Sequence, residues 1–467
     1  MSTNTHLLAQ EGFLAQQPSI KYFPPSFSEF DSLRQVWNTS GAGTPLAIVQ
    51  PQSARDVAAL IKFVKANSVP FTLRSGGHNL EGRSSVNEAL QIDLRALNSV
   101  AVAPDRKSAT VGGGILQGEL GNRLWEEGLA TPTGAVPSVG YTGWATYGGY
   151  GPFSSHWGLG VDQIIGATIV DANGEIRTAD QELLQGIRGA GGLFGVIVQL
   201  TVKVYPLTGF LAGPIIFDST DIAKTFVDFN NAYTNLLDTE GLPPQLTVQR
   251  IVFNSPHGRA FAALFVWSGS KSQIDEGKRW AERIASLAPC NVNLVGPTTI
   301  PEWFASSAHL PTGVYGSPWT HNLARIPENV AEAIGRNLAR LPTDLATMFS
   351  LHQLRRGLST EGAGSEVSSV FATREPHYML EILGYAAVPS AQEEAEKWAA
   401  QMAVEIQEVD PENVLPTAYI SLYNARRGGS PDKVLDKVYQ ANAEVVRALK
   451  VTFDPGNLFR LAVPAME

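Results

Sequence analysis

Cysteine is nearly missing from this chain. Cys290 is the only one in 467 residues, which excludes an internal disulfide and any metal or iron–sulfur cluster built on several thiolates. Long apolar runs are missing too: no stretch reaches the roughly 18 residues of a spanning helix. Positive charge is in deficit. With 35 Lys+Arg against 44 Asp+Glu the formal net charge is −9, so the basic surface that tracks nucleic-acid phosphates is not expected. Met1 to Ser19 show no basic start and no apolar run long enough for a signal peptide, so an intracellular, cytoplasmic protein is expected. Asn38-Thr39-Ser40 fits the glycosylation pattern, but without a secretory signal it reads as a chance match. H-E-x-x-H, Walker A and G-x-S-x-G are absent. At Gly189-Ala190-Gly191 the third glycine of G-x-G-x-x-G is out of place, so a Rossmann dinucleotide site, a metal site and serine-hydrolase chemistry lack support.

What the chain does hold is the composition of a folded protein, 44% hydrophobic and 17% charged, with enough length for two or three units of roughly 100–200 residues each. Glycine is the outlier, 44 in all, and many cluster between Gly76 and Gly195. Ser53 with Asp56 three residues on predicts a helix start, followed by Val57, Leu60, Ile61 and Val64 on one face. Short strands are predicted over 70–73, 90–94, 99–102 and 108–111, and a helix over 116–127. Residues 131–160 have little regular period. A hairpin is predicted over 164–178, turning at Asn173-Gly174 with positive φ at both residues. After Pro206 apolar strands (246–253, 260–267, 378–385) alternate with amphipathic helices (272–288, 391–406). That pattern predicts a second α+β unit on a largely antiparallel sheet. One long helix is expected over 431–450.

Small residues after a strand let consecutive N–H groups converge on an anion. Arg74-Ser75-Gly76-Gly77-His78 has that form, with Arg74 as a nearby positive charge, although a glycine pair also suits an ordinary tight turn. His78 directly follows this loop; on its own it reads equally as a hydrogen-bonded structural residue. Gly140-Tyr141-Thr142-Gly143 and Gly148-Gly149-Tyr150-Gly151 allow close backbone approach to a flat ligand, with Trp144 and Tyr147 as aromatic surface. The bland alternative is a glycine-rich surface loop.

At Arg74 to His78 the sequence resembles the FAD-linked oxidases of the vanillyl-alcohol oxidase superfamily, and within it the berberine-bridge-enzyme-like group. Val111-Gly-Gly-Gly114, Tyr147-Gly-Gly-Tyr-Gly151, Trp157-Gly-Leu-Gly-Val-Asp162, Arg188-Gly-Ala-Gly191, Phe194-Gly-Val-Ile197 and Phe453-Asp-Pro-Gly-Asn-Leu-Phe459 follow in the family's order. The resemblance implies an α+β fold: a two-part FAD-binding domain, residues 1–207 and 415–467, with an inserted α+β substrate domain, 208–414, on an antiparallel sheet. It implies FAD bonded through His78, with Ser75, Gly76 and Gly77 at the pyrophosphate and Val196 and Ile197 along the adenine side. It also assigns cofactor contacts to Arg74, Asn79, Pro137, Ser138, Val139, Gly140, Gly143, Trp144, Gly148, Gly149, Gly195 and Asn457. Relatives with a second, cysteinyl link carry G-x-C-P-T-V-G; Val136 stands at that cysteine, so no second link is expected.

Other departures bear on chemistry. Alcohol-oxidising relatives carry A-Y-x-N-Y, whereas this chain reads Ala418-Tyr419-Ile420-Ser421-Leu422, with Tyr423 one position late. If the segment is a strand, that offset sends Tyr423 to the opposite face. Thr142, Tyr147 and Leu193 replace residues usual near the flavin, and the tail after Arg460 is apolar. The candidate acid–base groups are Tyr419, Tyr423, His352, His377 and Tyr147, and Trp303, Phe304, Tyr315 and Trp319 are candidate pocket walls. The expected function is hydride removal from a small organic substrate, an amine or secondary metabolite, onto flavin N5, with dioxygen as acceptor. The alternatives are a flavoprotein acting as a non-redox cyclase or isomerase, and a flavin-free binding protein.

Overall fold

Two small sheets and one large one organise the chain in the computed structural model, which describes residues 12–307, 311–355, 368–424 and 430–462. Part of the Met1–Ser19 start and the end of the apolar tail, 463–467, lie outside the described residues. The first sheet holds β1 (Lys21–Phe23), β2 (Ala47–Gln50), β3 (Phe71–Arg74) and β4 (Leu90–Asp93), in the order β1-β2-β4-β3. Its β2–β4 and β3–β4 pairs are parallel, so the chain must cross over between β2 and β3, and helix Ala54–Ala66 makes that crossing. The helix starts where the sequence predicts: the Ser53 side chain accepts from the Asp56 N–H at 3.2 Å. Val57, Leu60, Ile61 and Val64 are buried against Val49, Leu90 and Ile92.

The second sheet joins β5 (Val100–Val102), β6 (Ser108–Gly112), β8 (Ile164–Val170), β9 (Ile176–Thr178) and β10 (Val196–Lys203) in the order β5-β6-β10-β8-β9. β7 (Leu129–Ala130) pairs with β11 (Tyr205–Pro206) beside it. The β8–β9 hairpin forms, but not with the predicted turn. Only Gly174 has positive φ, +73°. Asp171 Oδ1 instead accepts from the N–H groups of Asn173 and Glu175, so a side chain shapes a wider loop and Asn173 need not be left-handed. The aperiodic stretch 131–160 also holds more order than its composition suggests, with short helices at Tyr141–Thr146, Ser154–Trp157 and Gly160–Gln163. They are too short for an amphipathic period to register.

The third sheet is eight-stranded and antiparallel, built from β12 (Gly209–Phe217), β13 (Leu246–Ser255), β14 (Gly258–Gly269), β15 (Cys290–Asn293), β16 (Gly296–Pro297), β17 (Tyr315–Leu323), β18 (Met348–Leu354) and β19 (His377–Ala386). Alternation divides its faces. Leu211, Phe265, Phe349, Leu351, Leu380 and Ile382 face helices that include Ile222–Thr239, Ile274–Ala285 and Gln392–Val409. Leu354 and Met379 face the other way, onto Tyr150, Phe371 and Tyr419. The architecture is α+β, as the sequence predicts.

The long terminal helix is two. Pro431–Tyr439 stops and Ala443–Phe453 begins after a short 3-10 turn, because Gln440 takes φ +49°. The Gln440 side chain compensates by donating to the carbonyls of Pro416 and Lys437, so apolar periodicity continues across the break.

Candidate active site

The loop after β3 and the loop 137–140 touch backbone to backbone. A Cβ on Gly76 would lie 2.4 Å from both Gly140 N and Ser138 O, and one on Gly140 would fall 1.9 Å from Ser75 Oγ. Only glycine fits at either position. The N–H groups of Gly76, Gly77 and His78 find no carbonyl partner among the described residues, and helix Tyr141–Thr146 begins directly after Gly140. Successive amides left free on a loop without side chains suit a diphosphate, so the residues present fit a dinucleotide cofactor.

Arg74 is a correction. The sequence suggests its charge faces the anion, but the guanidinium is buried beneath the loop. It donates to the Leu33 and Gln35 carbonyls and pairs with Asp93 at 3.5 Å. Burial, then the neighbouring Arg95, lower its pKa to about 10. Its role here is to hold the loop. Asn79 likewise turns inward, accepting from the N–H groups of Glu81 and Arg83.

His78 stands at the end of this cradle. Its Nε2 is 2.9 Å from Ser138 Oγ, and its ring stacks on Trp37 at 6.0 Å, which in turn meets Tyr385 of β19 edge-on at 4.6 Å. Burial, and then the Arg74 charge, lower the imidazole pKa to about 4. His78 is therefore neutral near pH 7, the form with a nucleophilic lone pair.

Around the remaining predicted contacts the backbone is tight. Pro137 and Val139 accept from Gly118 and Gln117 through their carbonyls, and Trp144 Nε1 donates to the Tyr150 carbonyl at 3.1 Å. Gly148 and Gly149 take φ of +134° and +82°, bringing their chain against Tyr419, whose hydroxyl accepts from Gly149 N–H at 3.4 Å. Gly143 faces open space, with no protein atom within 4 Å of a Cβ. Gly195 leads into β10, where Val196 and Ile197 bury their side chains in separate cores, so backbone is what they offer a ligand. Asn457 sits at φ +49° in a turn with its N–H on the Asp454 carbonyl.

The proposed acid–base residues separate into two places. Tyr419 and His352 come together around Tyr150, with ring centroids 4.9 and 6.2 Å from it. His377 joins them through a 2.7 Å contact from Nε2 to Tyr150 Oη. Burial raises the Tyr419 hydroxyl to about 12 and lowers His377 to about 4. Tyr147 and Tyr423 lie elsewhere. Tyr147 packs on Gly191 and accepts from Gly192 N–H at 3.4 Å. Tyr423 packs against the core of the second sheet. Residues 417–424 form no strand: Tyr419 O accepts from both Leu422 and Tyr423 N–H. Strand alternation therefore does not govern the Tyr419–Tyr423 offset; the turn does.

Three of the four predicted pocket walls are packing residues. Phe304 is buried against Gly121, Trp303 meets Phe210 at 6.3 Å, and Trp319 lies against the helix-side core. Conversely, Glu381 is not among the residues expected from sequence, yet its Oε2 is 3.3 Å from His352 Nε2. A signal for it exists: it is the one acid in the otherwise apolar stretch Met379–Leu383.

The fold is that of flavoprotein oxidases. The crystal structure of 6-hydroxy-D-nicotine oxidase from Arthrobacter nicotinovorans superposes with a TM-score of 0.79 at 23% identity, over 95% of this chain and 96% of that one. Berberine bridge enzyme in complex with (S)-reticuline gives 0.80 at 20% identity, over 98% and 99%. A family model described as FAD binding domain matches residues 45–180. The FAD-linked oxidoreductase aurO of Gibberella zeae is 30% identical over 446 residues, covering 95% of this chain and 85% of that relative. The (R)-6-hydroxynicotine oxidase of Paenarthrobacter nicotinovorans is 29% identical over 331 residues, 69% of this chain and 71% of that one. The chain belongs to the FAD-linked oxidoreductases of the vanillyl-alcohol oxidase type, and it is an FAD-dependent oxidoreductase. Among the described residues no helix is long and apolar enough to cross a membrane.

Proposed function

We propose that this oxidoreductase is an oxidase carrying FAD on a single covalent bond from His78, and that it takes hydride from a small amine or other secondary metabolite and passes the electrons to dioxygen. The observation that carries this reading is the placement of a neutral imidazole, oriented by Ser138 and Trp37, at the end of a glycine cradle. Residues 1–207 and 415–467 hold the cofactor and 208–414 cover it. Bound flavin accepts hydride and returns the electrons to an oxidant.

The chain's own residues have narrower tasks. Ser75, Gly76, Gly77 and Gly140 admit the diphosphate by presenting amides without side chains, and Arg74 fixes their loop from below. Val136 has no thiol, which leaves His78 as the attachment. Tyr150, Tyr419 and Phe371 form an apolar floor under the large sheet, excluding water where hydride leaves. His352 and Tyr419 are the proton-handling candidates. Tyr147 and Tyr423, by their packing, support the loop and the core. The amine reading draws on 6-hydroxynicotine oxidase among the relatives.

Acid precipitation tests the attachment. Yellow colour should stay with precipitated wild-type protein and be released from His78→Ala, whereas covalent flavin in that variant would disprove the assignment. A peroxide assay over amines, alcohols and phenols tests the rest. Flavin bleaching without peroxide on aeration would refute dioxygen as acceptor.

A further inference from the structure

Asn38-Thr39-Ser40 has the form of a glycosylation triplet, but the fold uses these side chains internally. Asn38 is 2% exposed, and its amide nitrogen donates to two carbonyls, Leu80 at 2.6 Å and Gly316 at 3.1 Å. Those carbonyls belong to different units. Leu80 lies two residues beyond His78 in the loop that follows β3, and Gly316 lies in β17 of the large sheet. The Asn38 oxygen turns the chain by accepting from Ser40 N–H at 3.0 Å. The Ser40 hydroxyl in turn accepts from Gly316 N–H at 2.7 Å, and the Thr39 hydroxyl lies 2.8 Å from the Val314 carbonyl. Every side chain of the triplet is thus engaged with residues 314–316, where β17 begins.

The backbone repeats the connection. Trp37 N–H donates to the Gly77 carbonyl at 3.0 Å. Val314 N–H donates to the Trp37 carbonyl and Thr39 N–H to the Val314 carbonyl, both at 2.8 Å. This segment therefore bridges to Val314 on one side and holds the glycine loop on the other. Trp37 sits at the junction. Its Nε1 donates to the Pro311 carbonyl at 3.0 Å. Its ring lies 20° from parallel to the His78 imidazole and meets Tyr385 edge-on, so the indole is wedged between a histidine of one unit and a tyrosine of the other. Tyr385 is fully buried and stands opposite Gly316 in register. The ring contact and the Asn38 bond thus meet the large sheet at the same level. Without the sheet behind it, Trp37 loses its wall. Among the described residues the imidazole then keeps one hydrogen-bonded side-chain partner, Ser138. A single hydrogen bond fixes a point on a ring, whereas a stacked neighbour fixes its plane.

We propose that Trp37–Ser40 is a clip that makes docking of the large sheet a condition for orienting His78, so that the flavin is bonded only after the sheet has closed over the cradle. This rests on the His78 attachment proposed above. The bond it serves is balanced as follows. One C–H bond of a flavin methyl group and the imidazole N–H are replaced by one C–N bond, and the two electrons and two protons pass to dioxygen as hydrogen peroxide. Asn38 and Trp37 are positioning residues and exchange neither proton nor electron. Asn38 holds the two units together, and Trp37 passes that closure to the plane of the imidazole. Removing the Asn38 amide takes one donor from each unit at once, from Leu80 and from Gly316.

Two measurements test the clip. The first is hydrogen exchange by mass spectrometry on the flavin-loaded protein. Asn38→Ala should speed exchange at 77–80 and at 313–316 together and leave β10 unchanged. Faster exchange in only one of the two segments, or in neither, overturns the proposal. The second follows the rate at which FAD, added to the full chain purified without flavin, becomes acid-stable. Asn38→Ala and Trp37→Ala should slow that step about tenfold, the factor carried by one lost hydrogen bond of ordinary strength. Trp37→Phe, which keeps a ring on His78, should recover the wild-type rate. Equal rates in all variants, or a Trp37→Phe as slow as Trp37→Ala, also overturn it. Visible absorbance of the bound FAD shows that each variant is folded; should Asn38→Ala not fold, the two Trp37 variants decide. If wild-type flavin never becomes acid-stable, the attachment reading is what has failed, and the exchange comparison decides the clip alone.

Discussion

Gly76→Ala isolates the contact on which the cofactor cradle depends. Gly76 does not have positive φ, so alanine carries no left-handed backbone penalty there. The whole penalty is steric. The new Cβ would stand 2.4 Å from Gly140 N and Ser138 O and 2.9 Å from Val139 C. All three are backbone atoms and none can rotate aside. Restoring ordinary contact needs about 1 Å of separation between the two loops. Overpacking of this kind costs about 3 kcal/mol where the neighbours are main chain, which is more than a hundredfold in any equilibrium that requires the loops together. The same displacement draws Ser138 away from His78 Nε2, now 2.9 Å distant. Flavin occupancy, read as visible absorbance per protein, and acid-stable flavin should both fall sharply, with a lower melting temperature. Gly143→Ala is the paired control, because its Cβ meets no protein atom within 4 Å. It should leave the melting temperature of flavin-free protein within a degree or two while lowering flavin occupancy if this glycine faces the cofactor. Unchanged occupancy and melting in Gly76→Ala would refute the reasoning.

The molecule should lose stability on mild acidification, because His156 and His377 both have folded pKa values near 4 through burial. The unfolded chain takes up those protons from about pH 6.5 downward. Each group therefore favours unfolding between about pH 6.5 and 4, at up to about 1.4 kcal/mol per pH unit. Urea midpoints in that window should fall less for His377→Gln, and a parallel decline would contradict the assignment. Asp454→Asn strands the buried Lys450, now paired at 2.6 Å. A loss of about 3 kcal/mol is expected by urea unfolding, partly recovered by adding Lys450→Met. Ser68 holds φ +52°, so Ser68→Gly should raise stability by about 0.5–1 kcal/mol; a loss would show that its side chain matters more than its backbone.

Local periodicity and spacing determined much of this protein. The Ser53-capped helix, the short strands, the antiparallel second unit and the order of glycine motifs were all legible. Each depends on residues close together in the chain, where propensity and alternation act directly. The cradle was legible as glycine at Gly76 and Gly140. The reason for glycine was not, since it lies in a contact between segments more than sixty residues apart. The same limit explains the misplacements. Arg74 read as a free cation because its partners, Leu33, Gln35 and Asp93, are distant in sequence. Gln440 breaks a helix that periodicity carries through, because the carbonyl of Pro416 supplies part of the compensation. Tyr147 and Tyr423 had the right chemistry for catalysis, but packing took them to Gly191 and to another core. Sequence by itself named His352 as one of several titratable groups. Only the pairing of β13, β18 and β19 brought Glu381, Ser350 and Gln249 to it, because strand register is set by which faces can be buried.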